Sequence, residues 1–383
     1  MIRLEKVTKI YPDGTEAVRE VSFEVDRGEL CVLLGPSGCG KTTTMKMINR
    51  LISPTSGRIY IDGMDNTSID ENELRRNIGY AIQEIGLFPH MTIGENIATV
   101  PALKGWPKAK RRKRAKELLE LLRMTPDGFI DKYPRELSGG QRQRVGVARA
   151  FGGDPPILLM DEPFGAIDPI TRGDLQNEFL KIQQELQKTI IFVTHDIHEA
   201  IKMGDKIALM KGGRLVQYAP PAELLYGPKD QFVADFVGAD RGLKGLQLIR
   251  TKEVMWRSPR TAKPDEEVKA VRDRMEREGI DWLAVIDDEG RFTGWVVSSD
   301  LERGRKVREI MSTAAISATR NAVLSEALSL MLTSGLNVLA IVDQHDKLEG
   351  VLTFQAIREA LREAAQKASV RLGRTAPQRE VSQ

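Results

Sequence analysis

The stretch GPSGCGKTT, residues Gly35 to Thr43, directly follows the apolar run ELCVLL at Glu29–Leu34. Glycines at positions 35, 38 and 40 allow the backbone N–H groups of such a loop to turn inward and approach a phosphate closely. Lys41 can then reach the β- and γ-phosphates of a nucleotide, and Thr42 can place its hydroxyl on Mg²⁺. The next helix, from about Thr42, would point the positive end of its dipole at the same anion. The sequence therefore predicts a nucleotide site at the end of a buried strand.

Two further apolar runs also end in polar residues. ILLM at Ile157–Met160 leads into Asp161 and Glu162, and TIIFVT at Thr189–Thr194 leads into His195. Short, uninterrupted apolar runs are typical of strands buried on both faces of a parallel sheet, and open α/β sheets bind ligands at the carboxyl ends of such strands. We expect Asp161 to bind Mg²⁺, Glu162 to orient and polarise the attacking water, and His195 to sense the γ-phosphate.

The segment ELSGGQRQR, Glu136 to Arg144, offers a second place for a phosphate. Its serine and glycines precede an apparent helix, so the positive end of that helix would face an anion. Lys41 and Ser138 lie 97 residues apart, so the second segment is not a local extension of the first. Near the start of the chain, Tyr11 in KIYPDG could stack on adenine, or it could be an ordinary packed surface tyrosine.

Composition indicates a globular protein of two or three domains. The chain has 383 residues, 41% hydrophobic and 29% charged, with a formal net charge of +3, so nothing global demands nucleic acid. Two cysteines make no disulfide framework, which suits a reducing compartment, and no apolar run approaches the ~20 residues that cross a bilayer. The basic run KAKRRKRAK at Lys108–Lys116 could bind nucleic acid or lipid headgroups, but we favour a solvated helix face.

Taken in order, the motifs of residues 1–240 resemble the nucleotide-binding subunit of an ABC transporter. GPSGCGKTT resembles the Walker A loop, AIQEIGLFPHMT the Q-loop, LSGGQ the signature, ILLMDEP Walker B, GAID the D-loop and VTHD the switch histidine. The resemblance implies an α/β P-loop NTPase domain with an antiparallel β subdomain and a helical subdomain. It implies catalytic roles for Glu162, His195 and Gln83, and Mg²⁺ binding by Thr42, Gln83 and Asp161. The ATP-binding residues it implies are Tyr11, Gly35, Pro36, Ser37, Gly38, Cys39, Gly40, Lys41, Thr42, Thr43, Ser138, Gly139, Gly140, Gln141, Asp161 and Asp168.

The same resemblance explains the presence of two phosphate-binding segments. In ABC proteins the signature of one subunit closes over the γ-phosphate that is bound by the Walker A loop of the other subunit. We therefore expect a head-to-tail homodimer in which each ATP contacts both segments.

After Gly238 the sequence changes character, and an internal repeat follows. GIDWLAVIDDEGRFTGWVV begins at Gly279 and GLNVLAIVDQHDKLEGVLT begins at Gly335, an offset of 56 residues. The repeat resembles a pair of CBS domains, which often bind adenosine nucleotides. We predict the ATP-binding domain at 1–240, a linker at 241–250, CBS domains at 251–310 and 311–365, and a disordered tail at 366–383.

Neither repeat has the full ligand motif of the CBS family. GWVVSSD has Asp300 for a ribose but places Val297 where the family has threonine, and GVLTFQA has Thr353 but places Ala356 where the family has aspartate. Asp300 and Thr353 are therefore the candidate regulatory residues for an adenine nucleotide, including a cyclic dinucleotide. The alternative is a module that serves only in dimerisation.

An ABC ATPase with tandem CBS domains most resembles the importers of quaternary amines, which take up glycine betaine, carnitine, choline or proline. The implied partners are two membrane permease subunits and, indirectly, an extracytoplasmic solute-binding protein, with no nucleic acid. The implied location is peripheral, on the cytoplasmic face of the plasma membrane. An ABC-class ATPase of DNA maintenance or of the ribosome is the alternative. The gap before the signature shows no sustained heptads for coiled-coil arms, and the chain has a single Walker A loop.

Overall fold

The structure, a computed structural model, describes residues 1–82, 86–165, 167–313 and 316–371. Its contacts divide the chain into two units. The first consists of Met1–Leu224 and Pro228–Phe236, and the second consists of Leu225–Gly227 and the chain from Val237 onward.

Strands and helices alternate along most of the chain. The strands are β1 (Ile2–Ile10), β2 (Glu16–Val25), β3 (Leu30–Leu34), β4 (Ser56–Ile61), β5 (Met64–Asp65), β6 (Ile78–Ala81), β7 (Ile157–Asp161), β8 (Thr189–Thr194), β9 (Lys206–Lys211), β10 (Arg214–Ala219), β11 (Thr261–Ala262), β12 (Trp282–Ile286), β13 (Phe292–Val297), β14 (Ser317–Thr319), β15 (Val338–Val342) and β16 (Leu348–Thr353). The helices are α1 (Lys41–Ile48), α2 (Glu71–Arg76), α3 (Ile93–Ile97), α4 (Thr99–Leu103), α5 (Lys108–Leu121), α6 (Pro126–Phe129), α7 (Gly139–Gly152), α8 (Pro169–Leu186), α9 (Ile197–Met203), α10 (Pro221–Tyr226), α11 (Gln231–Val237), α12 (Arg241–Gly245), α13 (Thr251–Val254), α14 (Val268–Glu278), α15 (Val307–Ile310), α16 (Leu324–Ser334) and α17 (Phe354–Arg371).

The six-stranded sheet of the first unit has the order β10-β9-β3-β8-β7-β6. Strands β9, β3, β8, β7 and β6 pair in parallel, and only β10 runs antiparallel, at the edge beside β9. Every residue of β3, β7 and β8 is buried, which explains why these strands read as unbroken apolar runs. The predicted parallel α/β sheet is confirmed, and its three predicted strands lie side by side.

The antiparallel β subdomain and the helical subdomain are also present. Strands β2, β1, β4 and β5 form a four-stranded antiparallel sheet, and the apolar faces of β1 and β2 join the core beside β3. In the helical part, α5 buries Ala115, Leu118 and Leu119 and packs against α7. The basic run lies in the first part of α5, where Arg112 pairs with Asp131 and Lys116 pairs with Asp127.

The second unit contains two three-stranded sheets, β11-β12-β13 and β14-β15-β16. Their registers repeat with the offset seen in the sequence, since Thr261 pairs with Ala284 and Ser317 pairs with Ala340. Each half also pairs with the other, because the bridge from Trp256 to Val351 has its counterpart in the bridge from Ser312 to Trp295. The two repeats therefore form one module around a shared core, in which Trp295 is only 1% exposed.

Two segments contain more helix than the sequence predicted. The predicted linker, 241–250, contains α12, whose Lys244 is buried and donates a hydrogen bond to the carbonyl of Val237 at 2.8 Å. Helix α17 continues to Arg371, into the predicted tail at 366–383, because its alanine, glutamate, arginine and glutamine residues favour helix. Residues 372–383 lie outside the described part of the chain.

Candidate active site

The loop between β3 and α1 has the backbone that its glycines predict. Gly35, Gly38 and Gly40 have φ angles of 146°, 76° and 99°, which glycine adopts without steric cost. A Cβ on Gly35 would lie 2.2 Å from the carbonyl oxygen of Met210, and one on Gly40 would lie 2.4 Å from that of Ala17. The loop therefore lies too close to neighbouring backbone for a side chain at either of these two positions.

Lys41 is the charged residue of this loop, and it is only 7% exposed. Its Nζ donates hydrogen bonds to the carbonyl oxygens of Gly35 at 2.7 Å and Pro36 at 3.0 Å, and lies 3.8 Å from Cys39 Sγ. Burial raises the pKa of the Cys39 thiol, so this cysteine stays protonated beside the lysine. The ammonium group already lies within the loop, where it can exchange carbonyl partners for phosphate oxygens.

Two oxygen ligands suitable for Mg²⁺ meet where the start of α1 approaches the carboxyl end of β7. Thr42 Oγ1 donates a hydrogen bond to Asp161 Oδ1 at 3.2 Å, although the two residues lie far apart in sequence. Asp161 is buried, and that burial raises the pKa of its carboxyl group. Burial together with the charge of Asp161 raises the pKa of Tyr80 to about 12. A hydroxyl beside a carboxylate is a donor set that fits Mg²⁺.

Glu162 and His195 form a pair at the ends of the adjacent strands β7 and β8. His195 Nδ1 lies 3.0 Å from Glu162 Oε1. Glu162 has φ of +47°, in the left-handed region that non-glycine residues rarely adopt. Its backbone is fixed by its own N–H, which donates to the carbonyl of Val193 at 3.0 Å, and by Gln143 Nε2, which donates to its carbonyl at 2.8 Å. Such strain concentrates at functional sites.

The signature segment begins helix α7 and is available at the surface. Ser138 is its N-cap and forms a capping box with Gln141, with Ser138 Oγ accepting from the Gln141 N–H at 3.3 Å and Gln141 Oε1 accepting from the Ser138 N–H at 2.9 Å. Ser138 is exposed, and a Cβ on Gly139 would meet open space. The positive end of a 14-residue helix therefore faces outward, free of steric obstruction.

The remaining predicted site residues lie around these features. Tyr11 is half-buried in the turn between β1 and β2, with Lys9 Nζ 5.5 Å from its ring centre. Asp168 is the N-cap of α8 and accepts from the N–H of Thr171 at 3.0 Å. Gln83, predicted to act in catalysis and Mg²⁺ binding, lies outside the described residues.

Comparison with known proteins identifies the family to which the chain belongs. Residues 18–165 match the ABC transporter family, and residues 252–304 and 307–363 each match the CBS domain. The glycine betaine/carnitine/choline transport ATP-binding protein OpuCA of Bacillus subtilis is 46% identical over 358 residues, which cover 92% of this chain and 94% of that protein. This chain belongs to the ATP-binding proteins of ABC transporters.

A second relative and a solved structure are also similar to this chain. The osmoprotectant import ATP-binding protein OsmV of Salmonella typhimurium is 45% identical over 367 residues, covering 94% of this chain and 96% of that protein. A dimeric ATP-binding cassette in a post-hydrolysis state, bound to ADP and Pi, is 36% identical with a TM-score of 0.54. The similar region covers 58% of this chain and 99% of the cassette. The ABC-type ATPase fold and the CBS domains that the sequence predicted are confirmed.

Membership of the family establishes that this chain is an ATPase subunit that uses ATP with Mg²⁺. The relatives also support the prediction of a transport ATPase over the alternative of a non-transport ABC ATPase. Within the described ranges, no helix combines the length and apolar character that a membrane crossing requires.

In the CBS module the two candidate regulatory side chains already have protein partners. Asp300 lies at the end of the short 3₁₀ turn Ser298–Asp300, 3.4 Å from Arg303 Nη1. Thr353 Oγ1 accepts from the N–H of Ala356 at 3.2 Å, at the start of α17. A ribose that used Asp300 would have to compete with an exposed arginine, which is a weak competitor.

Sequence reasoning missed two buried polar side chains that hydrogen-bond to Glu162 and to the residue before His195. Gln143 of α7 bonds to the backbone of Glu162, and Glu199 of α9 bonds to Thr194 beside His195. Gln143 lies within ELSGGQRQR and Glu199 lies four residues after His195 of VTHD, but neither segment indicates that these side chains are buried. Burial of a polar side chain was the missing information, and the sequence alone does not supply it.

Proposed function

We propose that this chain is the ATP-hydrolysing subunit of an importer of quaternary-amine osmoprotectants such as glycine betaine, carnitine, choline or proline. The relatives OpuCA and OsmV, which are named for the transport of glycine betaine, carnitine and choline and for osmoprotectant import, support the solute class. The single observation that supports hydrolysis by the chain's own residues is the Glu162–His195 pair at 3.0 Å, beside Thr42 and Asp161. Four polar groups, from the start of α1 and the ends of β7 and β8, lie where a γ-phosphate would follow the P-loop.

In the mechanism that we infer, Lys41 and the N–H groups of the P-loop bind the phosphates of ATP. Mg²⁺, bound by Thr42 and Asp161, would neutralise charge on the phosphate oxygens. Glu162 orients the attacking water and accepts its proton, and His195 fixes the Glu162 carboxylate through Nδ1. Because Glu162 is held in a left-handed conformation by two backbone hydrogen bonds, its carboxylate is preorganised before substrate binds.

The complete site requires a second copy of the chain. Ser138, Gly139, Gly140 and Gln141 would approach the γ-phosphate bound by the partner's P-loop, with the exposed amino end of α7 facing it. Asp168 and Tyr11 would complete the site at the subunit contact and at the adenine ring. The dimeric state of the solved cassettes supports this arrangement.

The permease partners would dock on the first unit. A groove of about 270 Å³ is lined by apolar and basic side chains, among them Tyr80, Phe88, Val100, Arg75 and Arg149. Phe88 is 40% exposed there and offers apolar surface at the edge of the groove. We propose that each of two permease subunits inserts a segment in this groove, which places the chain on the cytoplasmic face of the membrane. An extracytoplasmic solute-binding protein would deliver the solute on the other side.

Reconstitution tests the proposed function directly. The chain is co-purified with its permease subunits, inserted in liposomes, and assayed for ATP hydrolysis and for solute uptake. Addition of glycine betaine, carnitine or choline with the solute-binding protein should stimulate ATPase activity and drive uptake. ATP hydrolysis that responds to none of these quaternary amines, but to an unrelated solute, would refute the proposed solute class and leave the ATPase assignment intact.

The CBS module would regulate this activity, and its removal is the first prediction. Leu246 packs in the core of the second unit, so the deletion begins after Gly238, before α12, rather than at 251. We expect the truncated chain to retain basal ATP hydrolysis, because the proposed ATP site lies in the first unit. The response of transport to ionic strength or to an adenine nucleotide should disappear. A coupling free energy of ~1–3 kcal/mol corresponds to a change in activity of roughly 5–150-fold.

The Asp300→Ala variant tests the nucleotide in the same assays. It should weaken any nucleotide response, whereas Asp288→Ala, which changes an aspartate whose side chain is 91% exposed in the same module, should not. Titration calorimetry of the full chain with cyclic di-AMP or AMP measures the binding. Regulation that survives the deletion would reduce the module to a dimerisation device.

A further inference from the structure

A buried hydrogen-bond network lies behind the switch histidine and joins α9 to the end of β8. Glu199 of α9 is only 9% exposed. Its Oε2 accepts a hydrogen bond from Thr194 Oγ1 at 2.6 Å, and its Oε1 accepts one from Gln176 Nε2 at 3.0 Å. A buried carboxylate with two such bonds is a fixed point, because breaking either bond leaves a polar group unsatisfied.

The Thr194 hydroxyl fixes the chain on both sides of His195. Thr194 is the last residue of β8, and its Oγ1 also accepts a hydrogen bond from the N–H of Asp196 at 3.0 Å. Glu199 therefore determines which way that hydroxyl points. The hydroxyl donates its hydrogen bond to Glu199, and its lone pairs remain available to accept from the Asp196 N–H. The backbone that presents His195 is set by this arrangement.

The other end of the network lies on α8, the helix that follows the D-loop. Gln176 Oε1 accepts from Lys202 Nζ at 3.1 Å, so both ends of the glutamine amide are bonded. One turn earlier, Arg172 Nη2 donates to the carbonyl of Ile167 in the D-loop at 2.8 Å. The same face of α8 thus contacts the D-loop backbone through Arg172 and Glu199 through Gln176.

We propose that Glu199 is a positioning residue for His195 and that, with Gln176, it couples the switch histidine to the helix that follows the D-loop. The His195 side chain is 63% exposed, so its position depends on the backbone behind it together with the contact between its Nδ1 and Glu162 Oε1. A movement of α8 would shift Glu199 through the hydrogen bond from Gln176. Glu199 would in turn shift the backbone beside His195 through the hydrogen bond from Thr194. This inference rests on the proposed catalytic role of His195.

An exchange of the two polar side chains tests the proposal. Glu199→Gln removes one acceptor, so either the new amide NH₂ faces that of Gln176, or the Thr194 hydroxyl turns to accept from it and loses the acceptor of its own proton. We expect kcat for ATP hydrolysis to fall about tenfold with KM for ATP nearly unchanged. Gln176→Glu places two carboxylates against each other and should lower kcat at least as much. The double variant restores one carboxylate and one amide in reversed order, and should recover kcat to within about threefold of wild type.

The assays use the full-length chain co-purified with its permease, and Gln183→Leu is the control. Gln183 is also a buried glutamine of α8, and its Nε2 donates to the carbonyl of Gly28 at 3.0 Å, away from Glu199. This variant should lower the melting temperature and leave kcat unchanged, whereas Glu199→Gln should lower kcat beyond any loss of stability.

Two results would overturn the proposal. One is a Glu199→Gln variant whose kcat stays within twofold of wild type, and the other is a double variant that folds and remains as slow as the worse single variant. Failure of the proposed function looks different, because His195→Ala would then retain full ATPase activity whatever residue stands at position 199.

Discussion

Replacing Glu162 by glutamine is expected to slow ATP hydrolysis at least ~10²-fold while MgATP still binds, because the attacking water loses its base. The amide keeps the size of the side chain, but it has no carboxylate to accept a proton. The Glu162 N–H donates to the Val193 carbonyl, and the Glu162 carbonyl accepts from Gln143 Nε2. Neither bond involves the Glu162 side chain, so the backbone should remain in place. Steady-state ATPase assays and nucleotide binding measure the two effects separately.

The same variant should reveal the dimer. ATP that cannot be hydrolysed stabilises the state that binds it, so Glu162→Gln should become dimeric when MgATP is added. Light scattering with and without MgATP measures the mass. Glu185→Gln, a change on the exposed face of α8, is the control and should behave as wild type. Near-normal turnover in Glu162→Gln, or a monomer at saturating MgATP, would exclude this scheme.

The parallel sheet and the ends of its strands could be predicted because the physical signal is local. A strand that is buried on both faces must be apolar throughout, so ELCVLL, ILLM and TIIFVT stand out against the amphipathic helices. The phosphate binding that we propose for Gly35–Lys41 depends on backbone conformations that glycine permits, and the local sequence indicates these conformations as well. The repeat was visible because both halves keep the same residues at the same offset.

Other features depend on residues that meet only in three dimensions. The bond from Thr42 to Asp161 joins the start of α1 to the end of β7, and the bond from Gln143 to the Glu162 carbonyl joins a helix to a loop. Nothing in the sequence around Glu199 distinguishes a buried acceptor from a solvated acid, because only its surroundings remove it from water. Helix α12 was missed for a related reason. Its glycines suggest a linker, whereas Gly245 is there because Tyr226 packs against it too closely for a side chain.

Lys41 shows a difference between a motif and its geometry. The sequence predicts contact with phosphates, and in the structure its ammonium group bonds to the Gly35 and Pro36 carbonyls of its own loop. Those carbonyls satisfy a buried cation that would otherwise be costly, and phosphate oxygens can replace them without moving the backbone. Removing the amine therefore affects ATP binding within a single subunit.

The signature differs from Lys41 in that its effect should fall on the nucleotide of the other subunit. Ser138→Arg places a bulky cation at the exposed amino end of α7. ATP binding by the monomer should remain nearly intact, since that nucleotide contacts the subunit's own P-loop. Turnover should fall at least ~10²-fold, because the donors that face the partner's γ-phosphate are displaced. Loss of the cap also costs about 0.5–2 kcal/mol, and Asp70→Ala, which uncaps α2, controls for that loss.

Mixing two inactive variants decides whether the signature acts on its own nucleotide or on that of the partner. A dimer of one Lys41→Ala chain and one Ser138→Arg chain has one site with an intact Lys41 facing an intact Ser138, provided that the signature acts across the dimer. Random pairing in a symmetric dimer gives about half mixed dimers with one intact site each, so about a quarter of wild-type turnover should return if each site works alone. If the signature acted on its own subunit's ATP, both sites of the mixed dimer would remain defective and mixing would restore nothing. Ser138→Arg would then also weaken ATP binding by the isolated monomer, which calorimetry measures independently of turnover.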